Sequence, residues 1–230
     1  MNIVDFILEY AYLLVYALTV FVALWRYPRY FDTVFKYLPI LLMYTLITEV
    51  GGNIIKSSDE YDFVLSDLLD YNNWVIYNLY DIIFFLYFLY VYWLSIKKRK
   101  YRRIIEVGVG MFILAAIINP FLSDFKTRFQ MITYFTGAIA LITAIVMYFR
   151  QLKSTTGTWF LNRNLLCWLS IGIIVFLVGY IPLIILGHFG IVIGEDYQII
   201  RRLHLLLILI MYGSFIIGFI NMARKPLKAG

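Results

Sequence analysis

The chain has 230 residues, of which 63% are hydrophobic and only 15% charged, with a mean hydropathy of +0.82. A soluble domain carries about 45–50% apolar and about 25% charged residues, and a globule of this length exposes a surface that such a composition cannot furnish, so a soluble enzyme, a secreted disulfide scaffold and a disordered regulator are excluded. The 20 Lys and Arg against 14 Asp and Glu leave a net charge of +6, which in a membrane chain reads as an orientation signal rather than as nucleic-acid binding.

Seven apolar stretches approach the ~20 residues a membrane-crossing helix needs. They cover about 3–24, 37–55, 73–96, 104–118, 129–149, 165–187 and 199–219. Segments 171–176 and 205–211 do not alternate in polarity, as strands of a membrane barrel would. The expected fold is an all-α membrane protein: a seven-transmembrane-helix bundle, N-terminus outside and C-terminus cytoplasmic, forming one polytopic domain over residues 1–230.

The first span carries Asp5 and Glu9 at its outer end and is followed by Arg26 and Arg29, the reverse of a signal peptide's charge order. It is read as an uncleaved anchor with an outer N-terminus. The second span carries Thr45, Thr48, Glu49, Gly52 and Asn53, whose steps of three and four put all five on one helix face. Glu49 would lie ~9 Å below the outer end at the helical rise per residue. Residues 56–72 form the longest stretch outside the spans, too short for an independent core. The third span repeats the pattern with Asn73, Tyr77, Asn78 and Asp81, placing Asp81 ~12 Å deep. Its remainder, 82–94, is apolar except for the hydroxyls of Tyr87, Tyr90 and Tyr92.

The run Lys97, Lys98, Arg99, Lys100, Arg102 and Arg103 follows. It is expected to form a loop that sets topology, touches anionic lipid headgroups and offers a place for a cytoplasmic partner. The fourth span is expected to close at Asn119-Pro120, where a proline restricts the residue before it and lacks an N–H. The sixth contains Pro182 and the single cysteine, Cys167, a small buried hydrophobe that excludes an internal disulfide. The seventh opens with Arg201, Arg202 and His204. Under this threading 15 of the 20 Lys and Arg fall on one side, which the positive-inside rule makes cytoplasmic.

Ionisable groups inside a bilayer are costly and mark either helix-bridging contacts or function. The expected ligand- or ion-binding site is an outward cavity formed by Glu49, Asn53, Asn78 and Asp81 and closed by Arg201 or His204; the alternative is that these groups only hold helices together. The last span has no lysine for a retinal Schiff base, and two histidines, His188 and His204, fall short of the ~three that a hydrolytic zinc site requires. The Pro-Gln signature of small seven-helix sugar and cofactor carriers is absent, as are hydrolase, nucleotide and dinucleotide motifs. No catalytic residue, metal or cofactor is therefore expected. The expected role is a receptor-like or sensory membrane module of a bacterial inner membrane, working through a cytoplasmic signalling partner. A small-solute or proton/cation transporter is the alternative, and an intramembrane metal-dependent hydrolase a further one.

Overall fold

The computed structural model describes residues 3–57, 74–188 and 195–223, the side chains of 3–10, 53–57, 188 and 195–197 excepted. Expectations resting on the side chains of Asp5, Glu9, Asn53 and His188, and on segment 58–73 with Asn73, lie outside these residues. Among the described residues the elements are helices: α1 (Ile3–Arg26) with a 3-10 turn at Tyr27–Arg29, α2 (Leu38–Ser57), α3 (Trp74–Ser95), α4 (Arg99–Leu122), α5 (Met131–Thr156), α6 (Leu165–His188) and α7 (Glu195–Asn221). Six of them, all but α2, are long and apolar enough to cross a membrane, whereas the apolar part of α2 extends only over Leu38–Gly52. The lipid bilayer is thus the protein's environment, and the chain is an integral membrane protein.

Several helices outrun the apolar stretches read from the sequence: α5 continues to Thr156 rather than 149, α7 begins at Glu195 rather than 199, and α4 is longer at both ends. Its first turn is built from the basic run itself, beginning at Arg99, so only Lys97 and Lys98 remain as linker. Helical hydrogen bonding needs no apolar side chains, and long basic stems let the charges reach water while the backbone stays helical. At the other end the helix passes Asn119-Pro120 and stops at Leu122, with Ser123 extended and its N–H donating to the Asn119 carbonyl at 2.9 Å. Pro120 lies so close to the end that the single carbonyl it leaves unbonded does not break the helix. α6 likewise continues through Pro182, which lies further inside the helix.

The helices form two compact units, residues 1–42 with 160–230 and residues 43–159. In the first unit α1 and α6 both pack on α7. The α6–α7 seam is closed by glycines. A Cβ on Gly172 would meet the Met211 carbonyl oxygen at 2.8 Å, and one on Gly218 would meet Trp168 Cβ at 2.7 Å. At one end Arg26 donates to the Ile220 carbonyl at 3.3 Å and Arg29 to that of Met222 at 3.4 Å, so cations meet the negative terminus of α7. The Ala223 N–H donates to the Arg163 carbonyl at 3.0 Å at this same end, which makes α1 and α7 parallel and α6 antiparallel to both. Tyr30, fully buried, donates its hydroxyl to the Ala23 carbonyl at 2.7 Å. Burial, and secondarily the neighbouring Tyr27, raise its pKa and keep it a protonated donor.

In the second unit α5 lies against both α3 and α4. Its inward face is mostly small or tightly held: Gly137, Ala138, Leu141, Ala144 and Ile145 are buried. Gly137 admits the rings of Phe85 from α3 and Phe112 from α4, and a Cβ there would stand 2.7 Å from Phe85 Cδ2 and 2.8 Å from Phe112 Cε2. Gly108 brings α4 similarly close to Ala140. α5 ends at Gly157, whose φ of 77° is the left-handed conformation that a helix C-terminus favours. Because Phe85 and Phe112 are themselves buried and cannot swing aside, Gly137→Ala should destabilise the folded protein by about 1–3 kcal/mol. Gly110, with open space where its Cβ would go, serves as control: Gly110→Ala should be neutral or stabilising by up to about 1 kcal/mol. Unfolding in detergent, followed by circular dichroism, separates the two, and equal behaviour would contradict this packing.

Candidate functional site

The site residues read from the sequence are distributed over both units: Glu49, Asn78 and Asp81 belong to residues 43–159, Arg201 and His204 to the other unit. Within the first of these, Thr45 on α2 donates its hydroxyl to Tyr80 Oη on α3 at 3.2 Å, and Tyr44 and Tyr80 lie ring to ring at 5.9 Å. Glu49, one turn beyond Thr45, is half-buried.

Asn78 is buried at the N-terminal end of α3 and is a knot. Its Nδ2 donates to the carbonyls of Phe125 at 3.0 Å and Arg128 at 2.9 Å, and its Oδ1 accepts the Gln130 N–H at 3.1 Å. Gln130 Nε2 donates to the Ser123 carbonyl at 3.0 Å. Asn119 Nδ2 donates to Thr133 Oγ1 at 3.3 Å, and that hydroxyl donates to the Ala115 carbonyl at 3.2 Å. Together these buried amides tie α3, the end of α4, the 123–130 connection and the start of α5. Asp124 finishes the turn: its carboxylate accepts the Lys126 N–H and the Thr127 hydroxyl. Those two bonds, and to a lesser degree the nearby Lys126 and Arg128 charges, lower its pKa.

Asp81 stands three residues along α3 from this knot. It is half-buried and makes no hydrogen bond or ion pair with another described residue. Between Asp81 and the far end of α3 the helix is sealed, since Phe84, Phe85, Phe88, Leu89, Val91 and Tyr92 are all buried in aromatic and aliphatic contact. In the other unit His204 lies face to face with Tyr180, ring centroids 4.3 Å apart at 17°, with Phe176 at 6.0 Å. Arg201 is exposed near the start of α7.

A second polar cluster occupies the opposite end of α3. Trp93 donates its indole N–H to Glu106 at 2.9 Å, while the Arg102 guanidinium lies 3.9 Å above its ring. Gln151 Oε1 on α5 accepts the N–H groups of both Lys97 and Lys98, at 2.8 and 3.0 Å. Lys98 Nζ donates to Ser154 Oγ at 2.8 Å. A hollow of about 440 Å³ is lined here by Trp93, Lys97, Arg99, Arg102, Arg103 and Glu106. Sequence reasoning named the basic residues but missed Trp93, Glu106 and Gln151 as their partners. The i,i+4 spacing of Arg102 and Glu106 and the amide at the polar end of an apolar helix were the available signals.

Among the described residues no three His, Cys, Asp or Glu lie close enough together to hold a metal ion. No known protein family, curated protein or solved structure matches the chain.

Replacing the knot residue, Asn78→Leu, takes the side-chain donor from the Phe125 carbonyl and the acceptor from the buried Gln130 N–H, and leaves the Arg128 carbonyl only its longer 3.3 Å bond from Gln130 Nε2; it should cost about 2–4 kcal/mol. Detergent unfolding checks this, and an unchanged midpoint would remove the knot. The lowered Asp124 pKa gives a second expectation. Its turn is held above the ordinary aspartate value and is lost only as pH falls through the lowered one. Hydrogen exchange at the Lys126 amide, corrected for the intrinsic rate, should therefore keep its protection through the ordinary aspartate range; loss within that range would contradict the turn.

Proposed function

We propose that the chain is a receptor-like sensory module of a bacterial inner membrane, crossing it seven times with the N-terminus outside. In this reading ligand, cation or proton acts at the intramembrane carboxylates Asp81 and Glu49, and the signal leaves through a cytoplasmic partner at the basic end of α4. The observation that carries the reading is the division of α3: a carboxylate that no described residue pairs near one end, a cation-rich aromatic platform at the other, and a tightly packed layer of buried aromatic and aliphatic side chains between them. A transporter needs a wet path past that layer. A sensor needs only a rigid rod joining two polar ends, and the Asn78 knot and the Gln151 bonds fasten α3 at both.

The orientation is supported within each unit separately. Arg26, Arg29 and Arg163 share one end of the first unit. Lys97, Lys98 and the C-terminal end of α5, with Arg150 and Lys153, share one end of the second. Cation–π pairs mark the same ends: Arg26 over Trp25 and Lys36 over Tyr37 in the one, Arg102 over Trp93 and Lys153 over Trp159 in the other. Aromatic rings beside basic groups are what a cytoplasmic membrane interface favours.

Proteoliposomes test the function. With an imposed pH or sodium gradient, the protein should add no flux over empty vesicles. The intrinsic tryptophan fluorescence should respond to external pH or sodium in the wild type and lose that response in Asp81→Asn. Protein-dependent collapse of either gradient would replace the sensory reading with a transport one. For the topology, single cysteines at Ser58 and Ser154 in a Cys167→Ser background should be labelled from outside at position 58 alone; labelling at 154 would invert the threading.

A further inference from the structure

Arg99 and Arg103 line the hollow beside Trp93 and also border a larger groove, whose apolar part the sensory reading does not use. A cleft of about 910 Å³ runs between α4 and α5, with Arg99, Lys100 and Arg103 at one end. Beyond them it is bounded by Ile104, Val107 and Met111 from α4 and Ile139 from α5. Its floor is the close approach of Gly108 to Ala140, where two small residues let the flanking side chains stand up as walls. Thr136 and Thr143 also line it, but each hydroxyl donates at 2.7 Å to a carbonyl of its own helix, those of Ile132 and Ile139. The wall they present is thus apolar in effect.

Val107, Met111 and Ile139 are more than half exposed, as lipid-facing residues are. None of the three cations at the mouth makes an ion pair or hydrogen bond with another described residue. The nearest acid on their helix, Glu106, is engaged by Trp93. From Arg99 to Met111 the groove descends ~18 Å along the helix axis, a little more than half of a ~30 Å hydrocarbon core. One end therefore offers positive charge at headgroup level that no described residue pairs, and the remainder an apolar channel that follows α4 for ~11 Å from Ile104 to Met111, well into one leaflet.

We propose that this groove binds one anionic glycerophospholipid of the leaflet at the N-terminal end of α4, its phosphate held by Arg99, Lys100 and Arg103 and one acyl chain lying along the α4–α5 cleft. The charge complementarity selects the headgroup and the depth selects a lipid over a free anion. Diffuse attraction of a polybasic segment to a negative membrane is a different thing, because it counts charges without regard to which face they occupy.

Native mass spectrometry of the full-length protein in detergent, with phosphatidylglycerol and phosphatidylcholine of matched chains, tests the site. The wild type should retain one phosphatidylglycerol with a preference of roughly ten-fold or more, since three basic groups act on one headgroup. The triple variant Arg99→Gln/Lys100→Gln/Arg103→Gln should bring the two lipids to near parity. Lys97→Gln/Lys98→Gln/Lys153→Gln removes as many charges outside the groove and should keep the preference. Thr143→Trp, which fills the cleft and leaves the cations in place, should weaken phosphatidylglycerol binding roughly ten-fold by obstructing the acyl chain; Val107→Trp replaces it if that variant does not elute as the wild type does. Inorganic phosphate should not displace the lipid. Equal loss in the two charge variants would overturn the proposal in favour of diffuse attraction. Unaltered binding in the cleft-filling variant, or displacement by phosphate, would overturn it in favour of a headgroup-only contact.

Discussion

A hydrocarbon solvent rewards an apolar side chain as well as a protein core does, so burying Leu against Leu does not by itself draw these helices together. Close backbone approach and polar ties must do so, and the structure is arranged around that constraint. α5 touches two neighbours through a face in which Gly137, Ala138, Ala140 and Ala144 alternate with larger side chains, and Gly137 admits two phenyl rings that a methyl group would displace. α6 and α7 are seamed through Gly172 and Gly218 in the same manner. Side chains that would be core in a soluble protein, such as Phe121, Leu114 and Val107, instead remain 86%, 59% and 58% exposed to the lipid side.

Polar ties complete what small residues begin, and they concentrate at helix ends. There the unpaired backbone groups of helix termini and connections need partners, and water is near enough to limit the cost of error. Asn78 and Gln130 gather the carbonyls of the 123–130 connection; Gln151 collects two N–H groups at the start of α4; Arg26 and Arg29 take the last carbonyls of α7. Asp81 departs from this rule, because it is an acid within a span that no described neighbour answers. A group so expensive and so poorly served is a stronger pointer to function than any of the well-bonded amides.

Much of this was legible in the sequence, and the reasons are local ones. Hydropathy delimits α3 and α6 to within a residue or two because their apolar runs begin and end where the helices do. It fails on α4, since the helix enters the basic run and outlasts Pro120, and neither charge nor a proline near a terminus forbids helical hydrogen bonding. Asn78 stood out because an amide in a span is costly wherever it points. Its partners lie 47 to 52 residues away, and no periodicity within α3 reveals a loop that distant. Trp93, Arg102 and Glu106 meet only because α3 and α4 fold back at a tight corner. Gln151 meets the Lys97 and Lys98 N–H groups across more than 50 residues of chain, a pairing that no local pattern displays.

The corner between α3 and α4 is mechanically stiff. α3 ends at Ser95 and α4 begins at Arg99, so three residues turn the chain, and the Lys97 and Lys98 N–H groups are both pinned to one oxygen of α5. A connection this short stores no slack. It acts as a fulcrum: tilting α4 about it must drag the end of α5 along or unbond Gln151, and the two arms of the lever differ greatly in length. The short arm is the basic turn at the membrane surface and the long arm is the rest of α4, nearly the full depth of the bilayer. A pull on the short arm would thus be felt at the other end of α4, in the 123–130 connection, where the Asn78 and Gln130 bonds would have to yield or carry α3 along.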